Sequence, residues 1–168
     1  MKFGLEIKGG GAAGFPDFKF PSAMWHRVGD LTVADTIRNV QTQTTIDGGS
    51  IKRNAPSTLK RKRRLGRGDK SLIDEHHRFL NEASYAVTVL ANGVRVSLTG
   101  LKRARDIAGF LLLKGYDRWF GLSRRAWQAV VVMMRHEVKL AREKESKKAQ
   151  AAGIAQAASV AKKSGWYT

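Results

Sequence analysis

Two stretches of this chain gather side chains capable of chemistry. Asp74-Glu75-His76-His77 sets two carboxylates beside two imidazoles, donor types that can hold a metal ion. Their spacing argues against chelation. Adjacent side chains on a helix point about 100° apart, and metal-binding helices place His at i and i+4. A polar helix start is the simpler reading. The second stretch is Lys60-Arg61-Lys62-Arg63-Arg64, five consecutive cations, with Arg67 close behind. A basic strip can follow a phosphate backbone without reading sequence, or it can meet an acidic protein. No aromatic residue stands near it to stack single-stranded bases.

The groups needed for covalent or phosphoryl chemistry are missing. The chain has no cysteine, no Gly-x-Ser-x-Gly elbow and no dinucleotide fingerprint. Gly9 to Gly14 is glycine-rich, but no Lys-Ser/Thr follows it as a phosphate-binding loop would require. The few carboxylates stand mostly beside Lys or Arg. An enzyme is not expected, and neither a cofactor nor a metal is called for.

Charge is the strongest compositional fact. Thirty-one Lys and Arg against fourteen Asp and Glu give a formal net charge of +17. Such a balance implies an anionic neighbour without saying which. With 42% hydrophobic residues in 168, the chain can bury a core, so one domain with extended ends is expected. No apolar run approaches the ~20 residues of a membrane span. The start of the chain lacks a basic segment followed by an apolar one, so no secretory signal is expected and synthesis should be cytoplasmic.

These groups need elements to position them. Asn92-Gly93 flanked by alternating residues reads as a type I′ hairpin turn. Pairing outward sets Ala91 opposite Val94, Val89 opposite Val96 and Val87 opposite Leu98, with Thr88 and Ser97 on the other face. Upstream, Ser22 should cap a short helix through Val28. A second, longer helix should begin near Leu31 and carry Val33, Ile37, Val40 and Thr44 on one stripe, ended by Asp47-Gly48-Gly49. Pro56 suits the first turn of a short helix to Leu65. Asp74 should cap a helix through Asn81. A helix from about Lys102 to Lys114 carries Ala104, Ile107, Ala108 and Leu111, and Gly115 ends it. Ser123 should cap the last helix, whose apolar face is Trp127, Val130, Val131, Met134, Val138 and Ala141. From Arg142 onward that face is lost.

The serial order of these features resembles the tail-completion, or virion morphogenesis, proteins of contractile-tailed phages. The resemblance rests on Asp47-Gly48-Gly49, Ala55-Pro56-Ser57-Thr58-Leu59-Lys60-Arg61-Lys62, Arg78-Phe79-Leu80, Ala86 to Gly100 and Arg103 to Ala108. It continues through Lys114-Gly115 and Arg118-Trp119-Phe120-Gly121-Leu122-Ser123, and spans residues 31 to 140. The chain departs from the family where Leu72-Ile73-Asp74-Glu75-His76-His77 replaces a segment that often carries Thr-Gly. The loop before the Arg-Trp-Phe-Gly turn is also reduced to Tyr116-Asp117, so subunit contacts made by that loop do not carry over.

The fold class expected is α+β: a helical domain with a small antiparallel hairpin, a long C-terminal helix and extended terminal arms. Residues 1–21 would be an arm, 22–141 the domain, and 142–168 a basic Ala/Lys-rich tail. The resemblance implies a structural virion protein at the head–tail junction. It implies a homo-oligomeric ring, a hexamer if it matches the tail's symmetry, against neck or connector proteins and the tail tube or sheath. Lys60, Arg61, Lys62, Arg63, Arg64 and Arg67 are candidates for contact with packaged DNA or another anionic partner. Phe15, Phe18, Phe20, Trp119, Phe120 and Trp166 are candidates for subunit contacts. No membrane contact is expected. Charge alone supports a different reading, a small basic cytoplasmic nucleic-acid-binding protein.

Overall fold

A computed structural model describes residues 4–8, 18–66, 68–73, 77–98, 102–114, 116 and 118–163. Strand β1 (Gly4–Lys8) precedes helix α1 (Ser22–Thr42) and helix α2 (Pro56–Arg64). Two 3-10 turns, Arg78–Leu80 and Glu82–Ser84, lead into strands β2 (Tyr85–Leu90) and β3 (Gly93–Leu98). Helices α3 (Lys102–Leu113) and α4 (Arg124–Lys163) follow. The class is α+β, as the alternation of apolar periods two and 3.6 implies. The chain divides into two compact units between Val131 and Val132, ten residues before the expected boundary at Arg142.

In the first unit, α1 lies across one face of an antiparallel sheet ordered β1-β3-β2. Leu5 and Ile7 pair with Val96 and Val94, and Val94 and Val96 pair with Val89 and Val87. All six therefore share the face that α1 covers, where Val94 and Val96 are wholly buried. Glu6, Lys8, Thr88 and Arg95 occupy the opposite face and are exposed. There Glu6 meets Arg95 at 3.3 Å and Lys8 at 3.4 Å, and the Arg95 hydrogen bond holds the Glu6 carboxyl below its ordinary range.

The hairpin register differs from expectation by two residues. Leu90 pairs with Gly93 and Tyr85 with Leu98, so the turn is Ala91-Asn92. Neither of these residues, nor Gly93, adopts positive φ, and a type I′ turn is not formed. The cause lies on the far side of β3. Gly93 pairs with Lys8, and a Cβ at Gly93 would overlap the Ile7 carbonyl oxygen. The glycine admits a neighbouring strand rather than a tight turn. A slip of two keeps every side chain on its original face, so the apolar pattern survives it.

A single helix replaces the two expected before Gln43. Gly29, between the two expected helices, sits inside α1 where a Cβ would overlap Val87 Cγ1. It lets the helix approach the sheet, which offsets the entropic cost of a helical glycine. The helix ends at Gln43 in the left-handed region (φ 59°) rather than at the later glycines. The Gln43 amide makes this tolerable: Nε2 donates to Val40 O at 2.5 Å and to Ser71 O at 2.9 Å, while Oε1 accepts from Ser71 N–H at 2.7 Å. The helix expected from Asp74 to Asn81 is replaced, over its described part, by the 3-10 turn Arg78–Leu80, which follows a left-handed His77 (φ 49°). Asp74 itself lies outside the described residues.

The core gathers Val33, Val40, Ile51, Leu72, Phe79, Tyr85, Val96, Leu98, Ala108 and Trp119. Burial raises the Tyr85 phenol well above its ordinary range, and its hydroxyl donates to Phe79 O at 2.9 Å. Ser123 caps α4 as expected, its Oγ accepting from Ala126 N–H at 3.3 Å. The buried stripe of α4 is Ala126, Val130, Met134 and Val138. Trp127, placed on that stripe from the sequence, is 42% exposed. From Arg142 to Val160, within the second unit, every residue is exposed.

Candidate functional site

Two of the segments quoted for the resemblance, at Asp47 and at Phe79, meet the turn from Arg118 to Ser123. Ile46 N–H donates to Arg118 O at 2.8 Å, and Arg118 Nη1 reaches Asp47 Oδ2 at 2.8 Å. Thr36 Oγ1 donates to Gly121 O at 3.4 Å and accepts from Gly121 N–H at 3.2 Å. Asp35, buried in α1, accepts the Ser123 N–H at 2.6 Å, at the positive end of α4. Gly121 has φ of +134°, a backbone that favours glycine. The turn is thus fixed to α1 and to the Thr45–Gly49 loop by five polar contacts.

Trp119 and Phe120 share this turn but not its environment. Trp119 is 1% exposed and tilts against Phe79 with ring centroids 4.7 Å apart. It is a core residue, which corrects its assignment to a subunit contact: no surface remains for a partner. Phe120 is half-buried and stacks on Tyr85 at 6.1 Å. Phe20 is likewise corrected, being 5% exposed and edge-on to Trp25 at 5.7 Å. Phe18 is half-buried against Phe20. Phe15 and Trp166 lie outside the described residues. Within the expected arm over residues 1–21, the alternating Gly4-Leu5-Glu6-Ile7 segment forms an edge strand of the sheet, Gly4–Lys8.

The basic run forms most of α2, a helix with no buried side chain. Hydrogen bonds to the following loop hold it in place. Lys62 Nζ donates to Lys70 O and Ile73 O, each at 2.6 Å. Arg63 grips Asp69 in a two-point pair at 2.8 and 2.7 Å. That pair lowers the Asp69 carboxyl from its ordinary range and raises the Arg63 guanidinium. Two of the five cations are therefore structural, while the Lys60, Arg61 and Arg64 side chains make no hydrogen bond or ion pair among the described residues. Arg67 lies outside them. Between α2 and α3 runs a cleft of about 360 Å³, lined by Arg61, Lys62 and Arg78 over Leu72, Phe79, Ile107 and Leu111.

Sequence reasoning missed Asp35, Thr36 and Gln43. Each is an ordinary polar residue of a helix or its end, and its role appears only once a segment 28 to 88 positions away is placed beside it. Among the described residues, no helix is long and apolar enough to cross a membrane. The chain matches no family model, no curated protein and no solved structure among those compared with it.

Proposed function

We propose that the chain is a structural virion subunit at the head–tail junction of a phage, assembled as a homo-oligomeric ring that terminates the tail or forms part of the neck and joins tail to head. The observation that carries this reading is the order of the resembling segments together with their convergence. Asp47, the Tyr85–Leu98 hairpin and the Arg118–Ser123 turn are separated along the chain yet meet in one body. Segments that meet in space are what a shared fold would preserve as a set.

Assembly has suitable surfaces. Among the described residues β1 and β2 are the two edges of the sheet, each pairing only with β3, so their outer backbone groups are open to strand addition. Half-buried Phe18 and Phe120 leave aromatic area for a neighbouring subunit. The role is geometric, and the ring, sixfold if it follows the tail, binds neck and tail proteins.

Deletion of the coding sequence tests this directly. The lysate should contain filled heads and separate tails, with infectivity restored by supplying the chain. Normal joined, infectious particles made without it would refute the proposal.

A further inference from the structure

The structure divides the basic run into two faces, which the sequence alone could not do. At about 100° per residue, Ser57, Lys60, Arg61 and Arg64 fall within one arc of about 100°, and Leu59, Lys62 and Arg63 fall on the opposite side. The second set faces the body: Leu59 and Lys62 are half-buried, and Lys62 and Arg63 bond to the Asp69–Ile73 loop. The first set is exposed throughout, with Arg61 at its edge also bordering the cleft toward α3. Asp69, the acid nearest in sequence, is already engaged by Arg63. The outward face therefore holds three cations without an ion pair among the described residues, on a helix tied to its own following loop.

We infer that this outward face of α2 binds the phosphate backbone of duplex DNA, without sequence preference, through Lys60, Arg61 and Arg64. The composition of the face distinguishes this partner from an acidic protein. Protein interfaces have a desolvated core rich in aromatic and apolar side chains, and within this arc there is none, the apolar neighbour being Leu65 at the end of the helix. Contacts to phosphate are polar, wet and satisfied by cations with a hydroxyl beside them. Single-stranded nucleic acid is disfavoured because the face lacks an aromatic on which bases would stack. The inference stands on this charged face alone and is independent of the junction reading. In a particle, the duplex met would be the packaged genome.

The test uses the full chain and a labelled 20-base-pair duplex, with binding followed by fluorescence anisotropy across a salt series. Each phosphate contact contributes about 0.9 to the slope of log K against log salt. Replacing Lys60, Arg61 and Arg64 together by Gln should therefore flatten that slope by about 2.7. A matched variant on α4, Lys144→Gln with Lys147→Gln and Lys148→Gln, removes the same charge and should change the slope by less than one. Circular dichroism should show both variants folded, since none of the six side chains makes a hydrogen bond or ion pair among the described residues. Equal flattening by the two variants would mean diffuse attraction and would overturn the inference. So would an unchanged slope in the α2 variant, or tighter binding to poly-glutamate than to the duplex.

Discussion

Asp35 shows how a residue without any sequence signal can hold a fold together. Its buried carboxylate satisfies the first N–H of the turn into α4, so Asp35→Ala should leave that donor unpaired. We expect a loss of about 1–3 kcal/mol in urea unfolding, with Asp35→Asn milder. Trp119 and Phe120 make a second residue-level test. Trp119→Ala should cost about 3–5 kcal/mol, and Phe120→Ala clearly less, because only the first empties a filled core site. Equal costs would place both rings in the core. The Arg63–Asp69 pair has a pH signature. Its carboxyl is held low, so the stability it lends α2 is complete above the unfolded value near ~3.9 and is lost as pH falls through the lower folded value. A carboxyl NMR titration should find the Asp69 midpoint below ~3.9, and Arg63→Gln should return it there. The sequence showed a run of cations, but not which of them face inward, since that depends on the placement of the Asp69–Ile73 loop.

At the scale of elements, patterning was informative about faces and poor about boundaries. The alternation of Val87, Val89, Val94, Val96 and Leu98 identified the buried side of the hairpin correctly, while Asn92-Gly93 misplaced the turn. The pairing of β1, which uses Gly93 for close approach, could not be read from the hairpin itself. Val96→Asp should cost on the order of 3–5 kcal/mol, and Thr88→Asp within about 0.5–1 kcal/mol, measured by the same unfolding curves. Similar costs would mean that both sheet faces are covered. Gly29 provides a test of sign. Helix propensity alone says that Gly29→Ala should stabilise α1 by about 1 kcal/mol. Packing against Val87 says that it should destabilise by about 1–3 kcal/mol, and we expect the second.

At the scale of the whole molecule, the two ends of the chain should behave differently. Deleting residues 1–8 removes an edge strand and buried Ile7, exposes the long side of β3, and should lower the melting temperature and promote aggregation. Ending the chain after Ala141 removes residues exposed along all their described length, and the first unit should keep its melting temperature. The α+β class, the strands of the hairpin and helices α2, α3 and α4 were legible because they rest on local periodicity and end signals. The union of α1 with the Arg118–Ser123 turn was not, because it rests on contacts across 85 to 88 residues. That union fastens the turn to α1 within the first unit. The proposed virion role is tested most directly by electron cryomicroscopy of particles purified from a lysate that contains the chain. The expected result is density at the head–tail junction that fits the first unit in a closed ring. Particles in which no ring at the junction fits this fold, with the chain confined to the host cytoplasm, would contradict it.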